Sequence, residues 1–343
     1  MKQLFFSFVL LTFACSLSAA RFYVAPGASN QGGDSWNAPI SLHQALQLAA
    51  VGDEIWVKQG TYYSSLSDNR EDRLMIPSGV ALYGGFSGSE QEISDRKPEN
   101  TSLLSGDLGI KDNASDNAFT VVYMLDANAQ TVLDGFTIAH GQAKAPSRDR
   151  MASTTGGALV IEAVNASSSP KIQNCVFANN NARYGGAVYV NGRKASAEPQ
   201  FVDCSFRNNE ASFRGGAIYN DGVSGLASPV LVSCEFIEND ADYGAGLYNN
   251  GSEGESNPLI LESNFVRNKS SVNGAAVYND QGETGGTATP VIQDCAYIDN
   301  FSELGDDIAN SSRDLVHTRT GTNNYRPGSV LRPSRPQVAA DRN

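Results

Sequence analysis

Three charged residues make the strongest case for chemistry in this sequence of 343 residues. Arg183 and Arg214 each lie just before a glycine pair, and Asp242 lies just before a third copy of the same segment. Two arginines and a carboxylate could bind the carboxylate of an acidic sugar, or act as acid–base groups in its cleavage. Charged residues beside a turn are also common on any solvated surface. We therefore treat these residues as weak catalytic or binding candidates, and the plainer interpretation stays open.

Four cysteines could form disulfides or ligate a metal ion in an exported chain. They are Cys175, Cys204, Cys234 and Cys295, and each lies five residues after a proline. Because they occupy equivalent places in a repeat, we expect mostly buried free thiols. One disulfide between neighbouring repeats is the alternative. A zinc site would need ligands that converge, so no cofactor is expected, and nothing in the sequence supports calcium.

The elements that must position these residues form a repeat of 29 to 32 residues. It is marked by Pro170, Pro199, Pro229, Pro258 and Pro290. Seven residues after each proline comes an aromatic residue, in turn Phe177, Phe206, Phe236, Phe265 and Tyr297. Ten residues after each proline comes an asparagine, in turn Asn180, Asn209, Asn239, Asn268 and Asn300. A Gly-Gly-Ala-type segment follows, so every repeat carries the same motifs in the same order.

Residue alternation inside the repeat predicts short β-strands. Cysteine and phenylalanine lie two residues apart, as on one face of a strand, and no helical periodicity appears. Such repeats stack as a right-handed parallel β-helix, an all-β solenoid in which each strand pairs with its copies above and below. We expect roughly nine or ten coils with the cysteines and aromatic residues stacked inside. The asparagines should form a corner ladder in left-handed backbone conformation, and the glycine pairs a second corner.

The remainder of the chain divides into a signal, a cap and a tail. Residues 1–20 combine a positive residue, an apolar run and small residues, which predicts an export signal cleaved after Ala20. Lipidation of Cys15 is the alternative. Residues 21–50 should cap the first coil with an amphipathic helix that begins at Ser41, and residues 51–310 should form the coils. Residues 311–343 are a basic, proline-containing tail that could cap the last coil or contact an anionic polymer.

Composition narrows the class of partner. Hydrophobic residues make up 41% of the chain and charged residues 18%, a balance that excludes a disordered protein. The net charge of -12 repels a nucleic-acid backbone. No apolar run of membrane-spanning length follows the predicted signal. We therefore expect no nucleic-acid partner and no transmembrane span in the mature chain.

Two sets of motifs resemble those of bacterial surface proteins. The run FYVAPGASNQGG from Phe22 is similar to the opening of secreted bacterial right-handed β-helix proteins. The paired FxxN and GGA[ILV] motifs resemble the repeats of polymorphic outer-membrane proteins from chlamydial and other bacterial surfaces. This resemblance implies the pectin-lyase-like superfold, a location outside the cell or on its outer surface, and a role that is often adhesive.

The same superfold includes polysaccharide lyases and hydrolases, but of the hydrolase motifs this sequence offers only an Asp-Asp pair, Asp306-Asp307, in the last, degenerate repeat. The hydrolase motifs NTD, GHG and RIK and the lyase motif WIDH do not occur. Asp203 and Asp294 are the best outward carboxylates, yet the equivalent positions of other repeats are not all acidic. We therefore expect a secreted or surface-associated scaffold for adhesion or for binding an extracellular polysaccharide or cell-surface component. The alternative is a lyase or hydrolase of the pectinase type.

The stretches after the Gly-Gly-Ala-type segments vary most between repeats. They are polar and rich in glycine and serine, for example NGSEGESN from Asn250. Insertions in a solenoid fall on one side, so we expect these stretches to project as loops from a single flank. Such loops would either bind a partner or merely be tolerated by the scaffold.

Overall fold

The computed structural model describes residues 19–29, 32–145 and 153–311, together with the backbone of residues 318–320. The predicted export signal lies outside the described residues except for Ala19 and Ala20. The predicted tail lies outside them except for Ser311 and the short strand at 318–320. The signal, its cleavage and the lipidation of Cys15 therefore stay predictions.

The strands fall into five sheets that run along the molecule. Sheet A contains β1 (Arg21–Val24), β2 (Glu54–Lys58), β5 (Ala81–Phe86), β8 (Val132–Asp134), β12 (Lys171–Gln173), β17 (Gln200–Val202), β22 (Val230–Val232), β26 (Leu259–Leu261), β30 (Val291–Gln293) and β34 (Thr318–Thr320). Sheet B contains β3 (Gly60–Tyr63), β6 (Ser102–Ser105), β9 (Phe136–Ala139), β13 (Val176–Ala178), β18 (Ser205–Arg207), β23 (Glu235–Ile237), β27 (Asn264–Val266) and β31 (Ala296–Ile298). Sheet C contains β10 (Gln142–Ala143), β14 (Asn181–Tyr184), β19 (Glu210–Arg214), β24 (Asp240–Tyr243), β28 (Lys269–Asn273) and β32 (Phe301–Ser302). Sheet D contains β4 (Leu74–Met75), β7 (Val122–Leu125), β11 (Leu159–Glu162), β15 (Val188–Asn191), β20 (Ile218–Asp221), β25 (Leu247–Asn250), β29 (Val277–Asp280) and β33 (Ile308–Asn310), and sheet E contains β16 (Ser196–Ala197) and β21 (Leu226–Ala227).

The chain passes from sheet A to B, then to C where present, then to D, and returns to sheet A one coil further on. Equivalent strands of neighbouring coils pair in parallel. In the described part, eight coils contribute to sheets A, B and D, with β1 before them and β34 after them, which makes about nine turns. The structure confirms the predicted all-β parallel solenoid. Within the predicted tail, β34 pairs with β30 and extends sheet A beyond residue 310.

A short helix, α1 (Leu42–Leu48), precedes the coils. Its first turn is capped by Ser41, whose hydroxyl oxygen accepts a hydrogen bond from the backbone N–H of Gln44 at 3.2 Å. Leu42, Ala45 and Leu46 are buried where the helix packs against β1, β2 and β4. The predicted helix near the N-terminus is thus confirmed. A three-residue 3-10 turn occupies Ile93–Asp95.

Aromatic side chains stack inside sheet B. Phe177, Phe206, Phe236 and Phe265 are fully buried, and Tyr297 is nearly so. Rings of neighbouring coils are almost parallel, with centroids 4.6 to 5.4 Å apart. Since paired strands lie about 4.8 Å apart, strand pairing itself sets the spacing of the rings.

The asparagines form a continuous hydrogen-bonded column at the end of sheet B. From Asn209 onward, each side-chain oxygen accepts the backbone N–H and the side-chain amide of the asparagine one coil earlier, at 2.9 to 3.1 Å. The expected left-handed backbone at these asparagines is wrong. The left-handed residues are those immediately before them, namely Asn179, Asn208, Glu238, Arg267 and Asp299. The chain turns one residue earlier, which lets each asparagine side chain point inward.

The four predicted core cysteines are buried free thiols. Each Sγ lies within hydrogen-bond distance of two backbone carbonyls, that of the residue two positions earlier at 3.2 to 3.5 Å and one a coil earlier at 3.5 to 3.7 Å. Ser263 takes the equivalent place between Cys234 and Cys295, where its hydroxyl donates to the carbonyl of Leu261 at 2.8 Å. Each position of this column therefore requires a small side chain that carries a hydrogen-bond donor, either a thiol or a hydroxyl.

Glycine forms the corner between sheets C and D. The first residue of each Gly-Gly-Ala-type segment has φ between +57° and +68°, at Gly156, Gly185, Gly215, Gly244 and Gly274. A Cβ atom on Gly215 would lie 2.6 Å from the carbonyl oxygen of Ile218. The left-handed backbone and this close approach together require glycine.

A second asparagine column lies inside sheet D and was not identified from the sequence. Asn220, Asn249 and Asn279 are fully buried, and each donates its side-chain amide to the next side-chain oxygen at 2.8 to 2.9 Å, ending on Asn310. These residues follow the recurrent tyrosine of the Gly-Gly-Ala-type segments. The recurrent Tyr-Asn pair was the sequence signal.

The variable stretches do not project as free loops, contrary to expectation. β16 pairs with β21, and single bridges continue this ladder through Glu255 to Thr287. A Cβ atom on Gly192, Gly222 or Gly251 would come within 1.9 Å of a carbonyl oxygen of the next coil. The glycine-rich composition therefore permits close stacking of these stretches, which form part of the wall of the solenoid.

Candidate functional site

The outer face of sheet D carries a column of stacked tyrosines. Tyr123, Tyr189, Tyr219, Tyr248 and Tyr278 share one register, with Val160 between the first two. The last four rings stack with centroids 5.1 to 5.4 Å apart. These side chains alternate with core residues and so point away from the interior. Four of the five are nevertheless buried, and half-buried tyrosines of sheet C pack against this cluster.

A column of alternating carboxylates and amides runs beside the tyrosines. Its members are Glu162, Asn191, Asp221, Asn250 and Asp280. The carboxylates accept hydrogen bonds from tyrosine hydroxyls, with Tyr123 donating to Glu162, Tyr189 to Asp221 and Tyr248 to Asp280. Burial, together with the charge of Asp221, raises the pKa of Tyr189 well above its ordinary value. This polar column holds the buried tyrosines in place.

Four half-buried aromatic residues cross four consecutive coils on this outer surface. We call Tyr184, Phe213, Tyr243 and Tyr278 the aromatic strip. Neighbouring rings of the strip meet edge to face, with centroids 5.9, 6.1 and 5.1 Å apart. Tyr184 also packs edge to face on the buried Tyr219 at 5.6 Å. The buried members of the tyrosine column thus support the partly exposed tyrosines of the strip.

Both candidate arginines lie on the aromatic strip. The guanidinium carbon of Arg183 lies 5.4 Å from the ring centroid of Tyr184 and 5.7 Å from that of Phe213. The guanidinium carbon of Arg214 lies 4.5 Å from Phe213 and 4.9 Å from Tyr248. Cation–π contacts of this kind hold a guanidinium group in place without neutralising its charge. Within the described residues, the buried Nε atom of Arg214 has no hydrogen-bond partner.

The third candidate, Asp242, lies on the same strand as Tyr243 and is held by a serine. The hydroxyl of Ser271 donates to Asp242 Oδ1 at 2.5 Å. Strand register aligns Tyr184, Arg214 and Tyr243, so Arg214 takes a tyrosine position while Arg183 and Asp242 lie one residue earlier. The two arginines are therefore not equivalent, because β19 is one residue longer and bulges. Across the described residues, Asp242 makes no ion pair with either arginine.

The other carboxylates singled out from the sequence lie at a turn. Asp203 and Asp294 have φ of +51° and +53°, in a column whose other members, Asn174, Ser233 and Glu262, are also left-handed. This column lies between sheets A and B, on a different edge from the aromatic strip. No group of three or more histidine, cysteine or acidic residues able to hold a metal ion occurs in the described part of the chain.

The strip could be predicted only in part. Arginine and aspartate beside the glycine pairs were recognised, but the aromatic residues next to them were not. Their sequence signal was the aromatic residue one or two positions before each Gly-Gly-Ala-type segment, at Tyr184, Phe213 and Tyr243. Tyr278 comes from the recurrent tyrosine of sheet D, and only the folded corner places it beside the others.

A comparison with protein families identifies this chain's relatives. The family model described as "Protein of unknown function (DUF1565)" matches residues 26–299. The chain belongs to this family. A search of curated proteins found none that matches this DUF1565 chain. In the described residues, no helix is both long enough and apolar enough to span a bilayer.

Three solved structures have low similarity to this DUF1565 protein. They are a pectate lyase, a protein from Escherichia coli and a pectin methylesterase. The pectate lyase Pel9A shares 11% identity and a TM-score of 0.41, covering 91% of this chain and 78% of the lyase. Escherichia coli YbhC shares 14% identity and a TM-score of 0.39, covering 92% and 80%. The pectin methylesterase from Aspergillus niger shares 12% identity and a TM-score of 0.33, covering 92% and 93%.

Proposed function

We propose that this protein is an extracellular or surface-associated β-helix that binds a polysaccharide along the aromatic strip without cleaving it. The observation that carries the proposal is the row of half-buried rings, spaced one coil apart, with Arg183 and Arg214 lying over them. Aromatic faces pack against the apolar faces of sugar rings, and partly exposed arginines bind carboxylates. A chain that contains acidic sugars fits both features.

The rigidity of the strip supports a role in binding rather than a surface without a function. Its tyrosine rings pack against buried tyrosines, and the hydroxyls of Tyr189 and Tyr248 are fixed by the polar column. A preorganised surface loses little conformational freedom when a ligand binds, so more of the contact energy appears as affinity. The polymer would lie along the axis of the solenoid and contact several coils at once.

Cleavage is the weaker alternative because the strip lacks a pair of groups placed for acid–base work. Asp242 is the acidic residue among the three candidates, and its carboxylate is bound to Ser271. General acid–base catalysis needs both an acid and a base within hydrogen-bond reach of the scissile bond. We therefore propose that the protein is a scaffold that binds a polymer and that this binding serves adhesion.

A glycan array of neutral and uronate-containing oligosaccharides, probed with residues 21–343, tests the proposal. Phe213→Ala and Arg183→Gln should each weaken binding about tenfold, equal to about 1.4 kcal/mol. Tyr63→Ala and Arg267→Gln are matched controls, because Tyr63 is an exposed tyrosine of β3 and Arg267 a surface arginine paired with Glu238. Equal effects of strip and control variants would remove the strip as the binding surface.

The same protein should release neither reducing ends nor unsaturated uronate products from the polymers that it binds. Any single working acid–base pair would raise the rate about 10²-fold or more over background. Clear turnover that is lost in Asp242→Asn or Arg214→Gln would establish the pectinase-type alternative in place of the binding scaffold.

A further inference from the structure

The last coil leaves one end of the stack without a described neighbour. Among the described residues, sheet B ends at β31, and only sheet A continues into a further coil, through β34. In earlier coils, the residue just before the ladder asparagine donates its backbone N–H to the next coil. This bond runs from Glu238 to Val266 at 3.0 Å and from Arg267 to Ile298 at 2.8 Å. Asp299 has that place in the last coil, so its N–H points out of the stack, and an edge of this kind readily pairs with another chain.

The core at this end is buried all the same. Further inside the stack, Phe265 has a ring on both faces, Phe236 at 4.6 Å and Tyr297 at 5.4 Å. Tyr297 stacks on Phe265 with one face, and its other face points towards the end of the stack. A ring at a bare end would be exposed over that face, yet Tyr297 is only 6% exposed and Cys295 only 2%. This burial requires a cover that β34, which extends only sheet A, does not supply.

The path of the chain leads residues 321–343 to this place. In the six coils from β8 onward, the chain passes from sheet A to sheet B over only one or two residues. Residues 321–343 follow β34 of sheet A, so the same path takes them over β31. In the last coil, residues 294–310 run through sheets B, C and D. The 23 residues after β34 are therefore enough to cross the whole end.

The composition of residues 321–343 suits a cover for this end. Residues 290–310 contain five acidic residues and no basic one, whereas residues 321–343 contain four arginines and one aspartate. Two of the acidic residues, Asp294 and Asp299, are exposed on either side of β31. Charged residues and prolines protect sheet edges from further pairing. Three prolines, which lack a backbone donor, occur in the segment, at Pro327, Pro333 and Pro336.

We infer that residues 321–343 lie across the end of the last coil, where they cover Tyr297 and shield the edge of β31 from other chains. The cover belongs to the same chain, rather than to a second copy or a polymer, because Tyr297 is buried within a single chain. Arginines of the segment lie towards the carboxylates of Asp294 and Asp299. This contact does not depend on polymer binding at the aromatic strip.

Hydrogen exchange of residues 21–343, followed by mass spectrometry, tests the inference. In the triple variant Arg326→Glu, Arg332→Glu and Arg335→Glu, the amides of residues 296–299 should exchange at least tenfold faster than in the parent, because repulsion from Asp294 and Asp299 opens the cover. The matched control places lysine at the same three positions, retains the charge and should exchange as the parent does. Amides of β18, inside the stack, should exchange equally in all three proteins and so show that the coils are folded.

The parent chain alone provides a second measurement. Its amides at 296–299 should exchange slowly at every protein concentration and without an added polymer. Fast exchange that slows only as the protein concentration rises would assign this end to a second copy, and fast exchange that slows only with heparin would assign it to a polyanion. Either result would overturn the inference, as would equal exchange in the parent and the glutamate variant. Phe213→Ala should leave exchange at 296–299 unchanged, so failure here and failure at the aromatic strip are distinguishable.

Discussion

At some interior positions, the hydrogen bonds that the side chain must make to neighbouring groups determine which residue can be there. The side chain of Asn239 accepts from the backbone and side chain of Asn209 and donates to Asn268 and to the carbonyl of Phe206. It is fully buried, so no water replaces a lost partner. An asparagine offers both a donor and an acceptor in the one geometry that links successive coils.

Asn239→Ala should therefore lower the free energy of unfolding by about 3 kcal/mol, since it leaves several buried polar groups unpaired. Asn264→Ala is the control, because Asn264 lies half-buried on the outer face of β27 and pairs in register with Ala296. Its cost should stay below about 1 kcal/mol. Urea unfolding followed by circular dichroism measures both. Similar costs for the two variants would contradict the ladder's role.

The stacked phenylalanines make the matching prediction for packing. Phe206→Ala removes a fully buried ring from between two parallel neighbours and should cost about 3 to 5 kcal/mol. Phe301, which is 59% exposed in β32, provides the control, and Phe301→Ala should cost under about 1 kcal/mol. The same unfolding titration applies. A Phe206→Ala protein as stable as the Phe301→Ala protein would mean that the column does not stabilise the fold.

The structure of an element could be predicted from the sequence where a residue stacks on the equivalent residues of neighbouring coils, and less well elsewhere. The phase within the repeat was enough to place Phe206 inside the coil and Asn239 in a ladder of stacked asparagines at a corner. The left-handed position was missed by one residue, because glutamate and arginine also occupy it, at Glu238 and Arg267. The stretch around Gly251 was expected to project, since a glycine that permits close stacking has the same sequence appearance as one in a free loop.

The candidate site was likewise predictable from the sequence only in part. Arg183, Arg214 and Asp242 were recognised from their charge and their place before the glycine pairs. Their aromatic neighbours were not, because period-two alternation tells which residues face outward but not which outward residues a neighbouring sheet covers. The corner at Gly215 brings sheets C and D together and so buries Tyr219 and Tyr248 from outside.

That corner gives a prediction at the level of elements. Gly215→Ala adds both left-handed strain and a contact of 2.6 Å with the carbonyl of Ile218, so it should cost well over about 2 kcal/mol. Gly52→Ala adds the strain alone, because nothing lies within 4 Å of its added Cβ atom at φ +93°. Its cost should be about 1 to 2 kcal/mol. Equal melting temperatures for the two variants would show that the corner can relax.

The whole molecule behaves as a one-dimensional stack in which each coil contacts chiefly its neighbours. Buried cysteines and tyrosines are distributed along its described length, from Tyr62 to Tyr297. Burial raises the pKa of Cys234 to about 12 and that of Cys295 to about 11. Burial likewise raises the pKa values of Tyr219 and Tyr248, with the charges of Asp221 and Asp280 respectively adding to it.

These groups predict loss of stability in alkali. Each is an acid whose pKa is higher in the folded chain than in the unfolded chain, so its stabilising contribution is complete below the unfolded-state pKa and is lost as the pH rises towards the folded-state value. For Cys234 this window runs from about pH 9 to about pH 12. Melting followed by circular dichroism with a reductant present should show a constant Tm from pH 7 to about 8.5, then a fall of at least about 5 °C by pH 10.5. The Tm of the Cys234→Ser variant, which has the side chain of Ser263 on the next coil, should fall less steeply over the same pH range. A Tm that stays unchanged up to pH 10.5 would show that the thiols and tyrosines ionise without unfolding the stack.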